Sequence, residues 1–111
     1  MSKAGRPHLI QGFQHISEIL KCKWTLAILD AVRRGVTRPS QIRRELPGLA
    51  AKVLNERTKK LERYGVLRKS VYAEIPPRVE YHLTDRGESL IRLIERIVEF
   101  VENEWTEVKL G

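Results

Sequence analysis

With 111 residues, 41% of them hydrophobic, and 21 Lys/Arg against 14 Asp/Glu for a net charge of +7, the chain fits one globular domain over residues 1–111 and is too short for two independent cores. One cysteine excludes an intrachain disulfide, three histidines with that cysteine make no zinc set, and no stretch approaches the ~20 apolar residues of a membrane span; a cytoplasmic protein without membrane, metal or cofactor is expected. The charge is divided along the chain, since 33–78 carries 13 bases and four acids while 79–111 holds four bases and eight acids, and a basic block beside an acidic tail points to a polyanion-binding surface on a scaffold with another task.

Residues 1–7, with Ser2, Gly5 and Pro7, read as a flexible lead-in. Leu9, Phe13, Ile16 and Leu20 recur at helical spacing and predict a first helix. Trp24 to Val32 is apolar nearly all round, which predicts a second helix buried in the core, with Gly35 beyond it as a left-handed cap. Pro39 suits the first turn of a short third helix with Ile42 and Leu46 inward, and Pro47-Gly48 stops it. A fourth helix is expected from Ala50 to Tyr64, capped by Gly65. From Val66 the period changes from 3.6 to 2, so Val66 to Ala73 and Val79 to Leu83 read as a hairpin joined by Glu74-Ile75-Pro76-Pro77-Arg78. Thr84-Asp85-Arg86-Gly87-Glu88 then supplies capping oxygens and acids for a last helix reaching Val108. The expected class is mainly α with a small antiparallel β-hairpin, and its third and fourth helices form a helix-turn-helix.

On a helical wheel Ala50, Leu54, Leu61 and Tyr64 share one side of the fourth helix, while Lys52, Asn55, Glu56, Lys59 and Arg63 share the other. A helix with such a polar, mostly basic face, braced by a preceding helix, fits the major groove of double-stranded DNA, where Asn bonds adenine bidentately and Lys reaches guanine or phosphate. Arg38, Ser40 and Arg43 at the third helix are expected phosphate contacts, and Lys60 a contact that strengthens all duplexes alike. Arg78, beside two prolines that stiffen the tip, is expected to enter a flanking minor groove or clamp phosphate. Arg57 falls near the apolar stripe, where a partly buried arginine paired with an acid or backbone carbonyls is expected.

In the last helix the apolar positions, among them Leu93, Ile97, Phe100, Val101 and Trp105, cover about half the circumference, wider than one packing face needs. With Leu9, Phe13 and Ile16 of the first helix they are expected to form a two-fold homodimer interface. The acidic tail would then keep the assembly surface off the phosphates.

With these elements in place, residues 23–100 resemble the HxlR-type winged helix-turn-helix regulators of bacteria, within the MarR-like superfamily. The resemblance rests on Lys23-Trp24-Thr25-Leu26, on Ile42-Arg43-Arg44-Glu45-Leu46-Pro47-Gly48-Leu49, on Leu61-Glu62-Arg63-Tyr64-Gly65-Val66-Leu67, on Pro76-Pro77-Arg78-Val79-Glu80-Tyr81 and on Leu83-Thr84-Asp85-Arg86-Gly87. It implies a homodimeric transcription factor with N- and C-terminal dimerisation helices, whose fourth helix and wing contact DNA. The chain departs from the family pattern in three respects. Gln11 stands where many members carry a redox cysteine, and Cys22 replaces a glycine, which argues against thiol sensing of the family type. Ala50-Ala51 replaces Ser-Gln at the start of the recognition helix, so Ala51 meets the groove without a polar contact and the helix lacks its cap. Thr58 replaces a leucine and is expected to loosen that helix slightly.

No catalytic set appears: there is no Ser/His/Asp or Cys/His arrangement, no glycine-rich phosphate loop and no close carboxylate pair. The residues thus point to a sequence-specific DNA-binding regulator, with a winged-helix RNA-binding or protein-adaptor module as the alternative and no effector identified.

Overall fold

A computed structural model describes residues 8–107 and shows five helices and one hairpin in the expected order. The elements are α1 (Leu9–Leu20), α2 (Thr25–Arg33), α3 (Pro39–Glu45), α4 (Ala51–Arg63), β1 (Leu67–Tyr72), β2 (Arg78–Leu83) and α5 (Asp85–Glu104). The lead-in 1–7 and Val108 lie outside the described residues. None of the described helices is long and apolar enough to cross a membrane.

The core gathers where the apolar stripes meet. Ile28, Leu29 and Val32 of α2, Ile42 of α3, Leu54 and Leu61 of α4, Val66 and Leu67 before and in β1, Tyr81 of β2 and Leu90 of α5 are all buried. The outer side of α2 carries Leu26 and Asp30, so this helix is not buried all round as its composition suggested. Pro39 occupies the first turn of α3, where its missing N–H costs nothing. The chain turns into α4 at Gly48, whose φ of 95° an L side chain rarely adopts.

β1 and β2 pair antiparallel from Leu67 opposite Leu83 to Tyr72 opposite Arg78. Arg78, expected in the connecting loop, is therefore the first residue of the ladder. The Tyr81 N–H donates to the Thr37 carbonyl (2.9 Å), which ties the wing to the segment entering α3.

Thr84 joins three elements. Its hydroxyl accepts from the Gly87 N–H (3.0 Å), capping α5 as expected, and donates back to the Gly65 carbonyl at the end of α4. Arg86 adds a bond from Nη1 to the Tyr64 carbonyl (3.0 Å). Gly87 lies so close to the Val66 carbonyl that a Cβ there would collide with backbone. Gly87→Ala should therefore destabilise the fold by about 1–3 kcal/mol, read as a lowered midpoint in thermal unfolding; an unchanged midpoint would contradict this packing.

α5 ends at Glu104, short of the expected Val108. Its last turn has no basic residue, and Glu102 and Glu104 stand at the negative end of the helix dipole. Trp105, expected within the helix, follows it with φ −120°. The Cα radius of gyration is 16.2 Å, against about 13 Å for a compact chain of this size. The N-terminal half of α1 and the C-terminal half of α5 are largely exposed and extend beyond the core.

Candidate nucleic-acid interface

α4 divides as its sequence predicts. Leu54, Thr58 and Leu61 are buried, Lys52, Asn55, Glu56 and Lys59 are exposed on the other side, and Ala51 is exposed at the border between the two. Its N-cap, Ala50, makes no side-chain capping bond, the consequence expected of an alanine there. Lys60 leaves this set: its side chain is 23% exposed and its Nζ sits 3.7 Å from Glu18 Oε1 of α1. Its charge is thus directed toward the scaffold rather than toward the face of Asn55. Arg57 differs from expectation too, because its buried Nε has no hydrogen-bond partner among the described residues.

Thr58, shorter than the family's leucine, is held in the packing by hydrogen bonds. It is fully buried, and its hydroxyl donates to the Asn55 carbonyl (3.1 Å) while lying 3.3 Å from the Tyr81 hydroxyl. With its one proton given to Asn55, Thr58 accepts from Tyr81. α4 is thereby tied to β2 by a buried hydrogen-bonded pair.

Arg38, Ser40 and Arg43 are all exposed at α3. Arg43 also braces the turn into α4, donating from Nε to the Leu49 carbonyl (3.1 Å). Between the two helices lies a cleft of about 370 Å³ that brings together Pro39, Ser40, Arg43, Ala51, Leu54, Asn55 and Tyr81.

At the wing the expected lone arginine belongs to a cluster. The Arg78 guanidinium carbon lies 4.1 Å from the Tyr72 ring centroid, in cation–π range. Its Nη1 is 3.2 Å from Glu74 Oε2. Its Nε is 3.5 Å from Glu80 Oε2, close enough for ion pairing but without the alignment of a hydrogen bond. Glu80 also faces Arg38 (3.8 Å) and His82 (3.2 Å). A phosphate approaching Arg38 or Arg78 must therefore compete with Glu80. A second cleft, of about 500 Å³, runs between Arg38, Ser40 and the wing residues 74–79.

The basic block is narrower in space than in sequence. Arg33 and Arg34 both pair with Asp30, and Arg34 reaches Glu45 as well. The bond from Arg33, with help from Arg34, holds the Asp30 carboxyl below its usual range. Exposed basic charge of the block without an acidic partner among the described residues is left on Arg43 and Arg44 of α3, on Lys52, Lys59 and Arg63 of α4 and on Arg68 and Lys69 of β1.

On another part of the surface, Phe13, Ile16 and Leu20 of α1 meet Leu93 and Ile97 of α5 around an apolar groove of about 370 Å³. Phe13 is 68% and Ile97 47% exposed. Phe100 and Trp105 sit beyond it as an edge-to-face pair, centroids 5.6 Å apart. Leu9 and Val101 do not line the groove; Leu9 is exposed near the start of α1 and Val101 is half-buried. Cys22 is a free, half-buried thiol. Among the described residues no group of three or more His, Cys, Asp or Glu side chains could hold a metal ion.

Comparison with known proteins matches this architecture. A model of the HxlR-like helix-turn-helix matches residues 19–109. The HTH-type transcriptional regulator YvaP of Bacillus subtilis is 37% identical over 95 residues, covering 86% of this chain and 87% of its own. Another, sll1512 of Synechocystis, is 42% identical over 77 residues, or 69% of this chain, which spans 57% of that relative's length. Among solved structures, a transcriptional regulator of the MarR family from Enterococcus faecalis V583 superposes with a TM-score of 0.85 at 26% identity, covering 96% of both chains.

Proposed function

This chain belongs to the HxlR-like helix-turn-helix family of DNA-binding transcriptional regulators, which are not enzymes, and from that premise we propose that it acts as a cytoplasmic homodimer reading an operator through α4. Asn55 and Lys52 meet base edges in the major groove, with Glu56 and Lys59 on the same face and Ala51 at its edge. Arg38, Ser40 and Arg43 fix the register on phosphates. The wing, led by Arg78, lies on the flanking minor groove or backbone. α1 and α5 join two copies, which sets two recognition helices on two half-sites. When bound, the protein is associated with the nucleoid.

The support for this reading is that the exposed face of α4 keeps Lys52, Asn55 and Lys59 in the open, whereas Lys60 turns to Glu18 and Arg33, Arg34, Arg38 and Arg78 are held by acids. Affinity for duplex should fall with salt, with a log–log slope near −0.9 per phosphate neutralised. A competition between operator duplex and structured RNA, run across that salt range, tests it. Duplex should win at every salt concentration; RNA winning would overturn the DNA reading in favour of an RNA-binding module.

A further inference from the structure

The cleft between α3 and α4 opens beside the face assigned to base reading, yet much of its lining is apolar. Ala51 stands at its edge in the first turn of α4, Leu54 and Tyr81 are buried residues beneath, and Pro39 closes the α3 side. The Tyr81 hydroxyl is already engaged with Thr58 at 3.3 Å, so its proton is not free to donate to a ligand. Polar groups are confined to Ser40 and Arg43 on one wall and Asn55 on the other.

We propose that this cleft is a specificity pocket for the 5-methyl group of thymine, contacted by Ala51 and read beside the base that Asn55 bonds; the inference rests on the DNA-binding reading above. The major-groove edge of a base pair offers one apolar group, the thymine methyl, and small apolar side chains are its usual contacts. Ala51 and Asn55 are four residues apart, so they lie on one helix face about one turn from each other. A methyl contact and an amide contact therefore fall on neighbouring base pairs. The exposed Ser40 and Arg43 suit the phosphates flanking such a site. An alanine that donates nothing to the groove becomes a reader by shape.

The test replaces each thymine of the selected operator in turn by deoxyuridine, which keeps pairing and removes only the methyl. One position in each half-site should lose about fourfold in affinity, the effect of one buried methyl. That loss should vanish in Ala51→Gln, whose longer side chain fills the cleft edge, and shrink in Ala51→Gly, with thermal unfolding used to verify that both variants fold. The scan on the unaltered protein needs no variant. No sensitive thymine, or a loss that persists in Ala51→Gln, would overturn the pocket while leaving the regulator reading intact. Sensitivity only to neutralised phosphates, probed with methylphosphonate linkages, would show that the cleft takes backbone and would also overturn it. If selection returns no preferred sequence, the operator reading itself fails, and the pocket with it.

Discussion

Asn55→Ala should lower affinity for the selected operator by at least about 30-fold, since a bidentate base contact is worth about 1–3 kcal/mol and a two-fold dimer makes it twice. Affinity for random duplex should hardly change. Asn55 is exposed on α4, and its carbonyl is held by the buried Thr58 hydroxyl, so the truncation removes an amide from the groove and leaves the helix in place. Lys59→Ala should behave differently, weakening operator and random duplex together and flattening the salt slope by about two ions, one from each copy. Lys60→Ala should do less than Lys59→Ala, because its ammonium faces Glu18. Titrations of each variant against both duplexes separate these classes. Parallel losses on the two duplexes for Asn55→Ala would remove it from base reading.

The second large effect concerns assembly. Phe13→Glu combined with Ile97→Glu should convert the dimer to monomers in analytical ultracentrifugation and reduce affinity for a two-half-site operator to that of a single half-site. Both side chains are largely exposed within one chain and line the same groove. Their replacement therefore costs the monomer fold little, whereas two charges buried in a partner's apolar surface would be unpaired. A double variant that stays dimeric would move the interface elsewhere. One that unfolds would show that the groove is internal core.

Much of the fold is legible in the chain because its punctuation is local. Pro39 and Gly48 bound α3, Gly65 follows α4, and Thr84 caps α5 through bonds that span three residues of sequence. The end of α5 was less so: apolar periodicity continues to Val108, but the acids of the last turn oppose the dipole and the helix stops at Glu104. The exposed face of α4 also follows from its wheel. What periodicity could not give is the partner of each charge. Lys60 meets Glu18 across 42 residues, and Arg38 and Arg78 converge on Glu80 only once the wing folds beside α3. The Thr58–Tyr81 bond joins residues 23 apart. A period-two pattern places Tyr81 inward but names no partner for its hydroxyl, and the sequence of α4 alone does not show that Thr58 supplies one.

Ala51 shows the same limit in another form. As a letter in the sequence it is a lost polar contact, and its value appears only with the neighbouring cleft.

The central claim is that two copies of this chain present two α4 helices to one operator. Selection of bound duplexes from a random pool tests it most directly. The expected result is enrichment of an inverted repeat with half-sites about 10–10.5 base pairs apart or a multiple of that, bound by two chains per duplex. Enrichment of an isolated half-site bound by one chain, or no enrichment at all, would contradict it.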